Sequence, residues 1–226
     1  MASPPRRFDS FRFLLKPLAF FLAATPFLFL LYNYYTDNLS VNPLDDITDT
    51  TGTWTLRMIV ITLTMTPLRK ITGWSGFSRL RRMSGVYAFF YGTMHLMTYL
   101  YFDKFFEWGD IADDLTKRRF IIVGFTAWSL MLPLALTSTD RMTKWVGGKN
   151  WKRLHRLVYI TAICGVIHYL WLVKADLQRP LTYGAIVAVL LGYRIVVFVR
   201  GRYARREAAK ASSVPPAASL PVDSRQ

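Results

Sequence analysis

Apolar residues along this chain gather into long runs separated by charged stretches, and the runs approach the roughly 20 residues that a helix needs to cross a bilayer core. Six runs stand out, at 14–34, 53–66, 84–102, 120–137, 154–173 and 181–199, of which the second is the shortest. The first follows Arg6 and Arg7 as a signal peptide would. Its apolar core is too long for such a segment and no small-residue cleavage pattern follows, so it reads as a retained helix. The pattern predicts an all-α polytopic membrane protein, a bundle of six transmembrane helices. A tail at 1–13 would precede a six-helix domain at 14–200. Residues 201–226 would form a second tail, basic at first and then small, polar and proline-rich ("ASSVPPAASLPVDSRQ"), a composition that predicts disorder.

Charge orients the bundle. The formal net charge of +15 would suit a nucleic-acid binder if the basic residues shared one surface. Instead they alternate with the spans. Twenty Lys and Arg fall in the two tails and in the loops after the second and fourth runs, against six in the remaining loops. The basic-poor loops carry Asp37, Asp45, Asp46, Asp49, Asp103, Glu107, Asp110, Asp113 and Asp114. By the positive-inside rule both termini are cytoplasmic, the partner surface is the lipid bilayer, and no nucleic acid is expected. The outward loops are too short for a soluble catalytic domain. No GxGxxG is present, and "VGGKN" lacks the spacing of a phosphate loop, so any reducing electrons come from another protein or carrier. The single cysteine, Cys164, excludes an internal disulfide and a CxxC site.

The chemistry on offer is imidazole. All three histidines lie in or at the edge of apolar runs, where ligating side chains are functional candidates. His95 and His168 sit about 10 Å and 8 Å from the outer ends of the third and fifth runs, counting 1.5 Å per residue. Two outward-running helices thus present imidazoles at matching depth, as a bis-histidine haem in a helical bundle requires. His155 is thirteen residues before His168, about 20 Å deeper, which suits a second cofactor near the inner face. Its partner positions on the third run are Arg81 and Arg82, not a histidine. Arg57, near the outer end of the second run, is placed to meet haem propionates or to snorkel to headgroups. Arg81 and Arg82 belong to the inner positive cluster and are also a candidate phosphate site. Other readings stay open. The His95–His168 pair would serve equally as an interhelical hydrogen bond or a proton relay, and His155 as an interfacial residue without a cofactor.

The stretches "TGTWTLRMIVITLTMTPLRK", "RLRRMSGVYAFFYGTMHLMTYL", "LALTSTDRMTKWVGGKNWKRLHRLVY" and "VIHYLWLVK" carry a family resemblance. The layout is similar to the ferric reductase-like transmembrane domain, and within it to the haem-binding membrane subunits of bacterial periplasmic methionine sulfoxide reductase systems. The resemblance covers about Thr51 to Lys174 and implies haem b, one or two per chain, with His95 and His168 as outer ligands and His155 as the third family histidine. It also implies FMN at the cytoplasmic face and residence in the bacterial inner membrane. Electrons would come from the quinone pool or a cytoplasmic flavin reductase. They would pass to a periplasmic molybdopterin-containing subunit that forms a heterodimer with this chain and repairs oxidised proteins. On this reading the chain is an electron-transfer subunit of an oxidoreductase complex, without a catalytic substrate site of its own. The alternative is a self-contained haem-dependent reductase of ferric or cupric chelates. A transporter using a histidine proton relay is the third reading, and no inverted repeat supports it.

Overall fold

A computed structural model of the chain describes residues 14–212. The N-terminal tail at 1–13 and most of the proline-rich tail fall outside the described residues. Within them, nine α-helices and one π-helical segment account for the regular structure, and no strand occurs. In order they are α1 (Lys16–Tyr35), α2 (Pro43–Thr72), α3 (Gly76–Met97), the π segment (Thr98–Asp103), α4 (Trp108–Lys117), α5 (Arg119–Leu136), α6 (Asp140–Val146), α7 (Gly148–Leu154), α8 (Leu157–Leu172) and α9 (Gln178–Ser212). The chain divides after Ala188 into two contact units. The second unit holds the distal part of α9, whose described portion is a single helix with the Arg202 guanidinium over the Phe198 ring.

Four stretches are long and apolar enough to cross a membrane: Lys16–Tyr35, Arg119–Leu136, Gly148–Leu172 and Gln178–Ala209. They include the first, fourth, fifth and sixth expected runs. The two others correspond to α2 and α3, which are more polar and, among the described residues, make the most extensive helix–helix contact, followed by α5 and α8. The expected run at 53–66 is the middle of a 30-residue helix. Its start is written in local chemistry, with Pro43 in the first turn, where its missing N–H costs nothing, and Asp45 and Asp46 facing the positive end of the helix dipole. Its end is equally explicit. Gly73 adopts φ +72, a left-handed cap that a side chain would strain, while Arg69 and Lys70 complement the last carbonyls.

The threonines that make α2 polar stay within its own ladder. Thr51, Thr55, Thr62 and Thr64 each donate a hydroxyl to the carbonyl four residues back, at 2.6–2.9 Å. Hydroxyls satisfied in this way can sit among other helices away from water. A further break follows α5, where Thr137 and Ser138 donate to the carbonyls of Pro133 and Leu134, and Thr139 caps α6 by accepting from the Met142 amide. The Leu-Thr-Ser segment of the sequence is therefore a helix stop and restart. Gly147, at φ +80, then separates α6 from α7.

Candidate functional site

His95 projects from the end of α3 and His168 from the end of α8, and their ring centres lie 6.0 Å apart with planes at 85°. The two helices that carry them are each paired with an antiparallel neighbour, and each neighbour orients the imidazole in the same way. His95 Nδ1 lies 3.0 Å from the Thr48 carbonyl of α2, and His168 Nδ1 lies 2.7 Å from the Phe120 carbonyl of α5. A carbonyl can only accept, so both Nδ1 atoms carry the proton and both Nε2 atoms keep a lone pair. This is the tautomer a metal-binding imidazole needs, fixed by an outer hydrogen bond.

Two glycines complete the arrangement. A Cβ at Gly52 would fall 2.9 Å from His95 Cε1, and one at Gly124 would fall 2.6 Å from His168 Nδ1. Each ring lies on a helix surface that only glycine leaves open.

Among the described residues no group of three or more His, Cys, Asp or Glu comes together to hold a metal ion. Two imidazoles alone would not fill a metal's coordination shell, so they suit a metal that would bring its remaining ligands with it. The spacing also agrees. A metal–nitrogen bond of about 2 Å on each side, plus about 1 Å from nitrogen to ring centre, separates two ring centres by about 6 Å. The residues present fit haem.

His155, thirteen residues before His168, has a different setting, at the turn where α7 ends and α8 begins. Its ring stacks on Trp151 at 3.8 Å, its Nδ1 lies 3.1 Å from the Trp151 carbonyl, and its Nε2 is buried without a hydrogen-bond partner. Trp151 is held in turn through its indole N–H on the Thr137 carbonyl, 2.8 Å away. Arg81 and Arg82 lie near enough for their charges to act on the imidazole, which places them together with His155 as the residue count suggested. Arg81 donates to Thr66 at 3.3 Å and Arg82 forms an ion pair with Asp140, holding the Asp140 carboxyl below its ordinary pKa.

Arg57 has other company. Its Nε donates to Tyr183 at 3.0 Å and its guanidinium covers the Trp54 ring at 4.7 Å. It leaves α2 about 140° around the axis from Gly52, the residue that faces His95.

One turn beyond His95, the π segment brings Tyr99 to Asp114. The Asp114 carboxylate is 7% exposed and accepts from Tyr99 at 3.1 Å, Lys104 at 2.8 Å and Arg118 at 3.3 Å. Lys104, then Tyr99 and Arg118, hold its pKa below the usual carboxylate value, and the carboxylate holds Lys104 above the usual lysine value. Sequence reasoning counted Asp114 only among acidic loop residues and passed over Gly52 and Gly124. A glycine in a helix interior costs up to about 1 kcal/mol, but the sequence alone does not show which of them faces a histidine.

Residues 51–166, just over half of the chain, match the family described as ferric reductase like transmembrane component, and the chain belongs to that family. Its relatives narrow the family further. It is 47% identical over 184 residues to the protein-methionine-sulfoxide reductase heme-binding subunit MsrQ of Herminiimonas arsenicoxydans, covering 80% of this chain and 84% of that one. The proteins of the same name from Azospira oryzae and Ralstonia nicotianae are 48% and 45% identical. The first match covers 82% of this chain and 80% of the relative, the second 86% and 89%.

Proposed function

We propose that this chain is the haem-binding membrane subunit of a methionine sulfoxide reductase system, carrying electrons across the bacterial inner membrane. The quinone pool or a cytoplasmic flavin reductase would supply them, and a periplasmic molybdenum-dependent subunit, bound as a heterodimer, would receive them to repair oxidised proteins. Haem b, when bound, supplies reversible one-electron chemistry, and two imidazole ligands leave its iron no open position for substrate. The observation that carries the reading is the opposed pair, His95 and His168, each with its Nδ1 committed to a backbone carbonyl and its ring centre 6.0 Å from the other.

Six crossings with both termini cytoplasmic place this pair near the periplasmic end of α3 and α8. The acidic loops above it are where the receiving subunit would dock. Near the cytoplasmic end, His155 offers a buried, unpartnered Nε2 to a second cofactor, with Arg81 and Arg82 beside it. The FMN implied by the family fits this cluster less well, since its phosphate would compete with Asp140 for Arg82 and with Thr66 for Arg81. Arg57, engaged with Tyr183 and Trp54, would act on a propionate only by leaving them.

The test is a reduced-minus-oxidised absorption spectrum of the purified protein with haem counted per chain. A low-spin b-type signal that disappears in both His95→Ala and His168→Ala is expected. A well-folded, haem-supplied protein without that signal would overturn the reading. Vesicles loaded with an internal reductant then separate relay from metalloreductase: ferric chelates outside should stay oxidised, whereas the added periplasmic subunit should become reduced.

A further inference from the structure

We propose that Gly52 and Gly124 are positioning residues, each exposing the backbone carbonyl four residues earlier so that it can anchor the imidazole of a neighbouring helix. The inference rests on His95 and His168 being axial ligands. It adds how this chain fixes their orientation and tunes them.

The geometry follows from the helix itself. The carbonyl of residue i points toward the amide of residue i+4, and side chains lean toward the N-terminus, so the Cβ of residue i+4 covers that carbonyl from the side. A carbonyl already bonded within its helix still has a second lone pair, but a ring from another helix reaches it only where residue i+4 has no Cβ. Thr48 and Gly52 on α2, and Phe120 and Gly124 on α5, are both such pairs. His95 Nδ1 meets the first carbonyl at 3.0 Å and His168 Nδ1 meets the second at 2.7 Å, across sequence separations of 47 and 48 residues. The Cβ that either glycine lacks would lie within 3.0 Å of its ring. In the helix that carries His95, a Cβ at Gly92 would fall 2.8 Å from Met131 Cε and meet no imidazole, and one at Gly85 would come no closer than 3.8 Å to anything. The same device, used twice on facing helix pairs, sets both imidazoles as Nδ1 donors with ligand-ready Nε2 atoms. Thr48 contributes its carbonyl, whereas Phe120 contributes both its carbonyl and a ring that lies 6.0 Å from that of His168.

A donor bond from Nδ1 raises the basicity of Nε2 and favours the more highly charged metal. Gly52→Ala and Gly124→Ala push the rings off their carbonyls. Each should weaken haem retention by about 10- to 100-fold, and the haem that remains should show a more positive midpoint potential and altered low-spin g values. Gly85→Ala, far from both imidazoles, should keep the wild-type potential and spectrum. Should Gly124→Ala fail to fold, Gly52→Ala, with the milder 2.9 Å approach, carries the measurement. Wild-type potential and g values in folded Gly52→Ala or Gly124→Ala would overturn this inference while leaving the two histidines as ligands. Haem that survives His95→Ala and His168→Ala would instead overturn the reading on which it rests.

Discussion

At Pro26 the ladder of α1 loses a donor, and the next link is bridged from outside the helix. Tyr91 Oη donates to the Ala23 carbonyl at 2.7 Å and accepts from the Phe27 amide at 3.3 Å, two groups that an unbroken helix would bond to each other. The ring is 1% exposed, so no water replaces the hydroxyl if it is removed. Tyr91→Phe should therefore cost about 1–3 kcal/mol, the penalty for leaving a buried donor and acceptor unpaired. Tyr87→Phe, which loses one exposed bond to the Phe20 carbonyl, should cost about 0.6 kcal/mol. Thermal unfolding of the two variants in one detergent would rank them; equal losses would refute the bridge. At this scale the histidines were legible and their anchors were not. The depth of an imidazole follows from counting residues along one helix. The glycine that seats it lies on another helix more than forty residues away, and nothing local distinguishes Gly52 from Gly85.

The loop between α3 and α5 is held by one carboxylate rather than by apolar packing alone. Asp114 joins α4 to the π segment through Tyr99 and Lys104 and to the start of α5 through Arg118, while Ile111 buries the same face of α4. Asp114→Ala should cost about 1–3 kcal/mol at neutral pH, because it leaves the Tyr99, Lys104 and Arg118 donors without their shared acceptor. The lowered carboxylate pKa means that this contribution is present above the ordinary carboxylate range and is lost as pH falls through the lowered value. The raised lysine pKa means that its share is present below the ordinary lysine value and is lost as pH rises through the raised one. Melting curves of wild type and Asp114→Ala should thus lie far apart at neutral pH and converge in acid; a constant gap would sink the argument. The exposed Lys117–Asp113 pair should contribute little, since solvent screens it. Hydropathy located the long apolar helices well but shortened α2, because Asp45, Asp46 and Asp49 dilute its first turns even as the first two favour a helix start. It also passed over α4, whose length and charge resemble a loop.

Whether the molecule crosses the membrane six times or four turns on α2 and α3, the helices whose composition falls short of a membrane span. We propose six, with α2 and α3 crossing beside the helices they pack against. His95 on α3 meets His168, which sits four residues from the end of α8, a helix apolar enough to cross. Trp128 of α5 donates to Thr93 of α3 at 3.0 Å and stacks with Phe89, while a Cβ on Gly165 of α8 would touch Leu56 of α2 at 3.5 Å. Helices in such contact with two spans share their slab, and α2, at about 45 Å, is long enough to traverse it. Composition fails as a guide here because a central helix faces other helices, and its threonines bond to its own backbone instead of meeting lipid. The six-crossing arrangement puts the turn between α2 and α3 in the cytoplasm, whereas four crossings would leave that turn outside. In a Cys164→Ala background, Ser75→Cys should therefore resist a membrane-impermeant thiol reagent in spheroplasts and react once the membrane is opened. Glu107→Cys, just before α4, should react in both. Labelling of residue 75 from outside would remove α2 and α3 from the membrane and, with them, the shared depth of the two imidazoles.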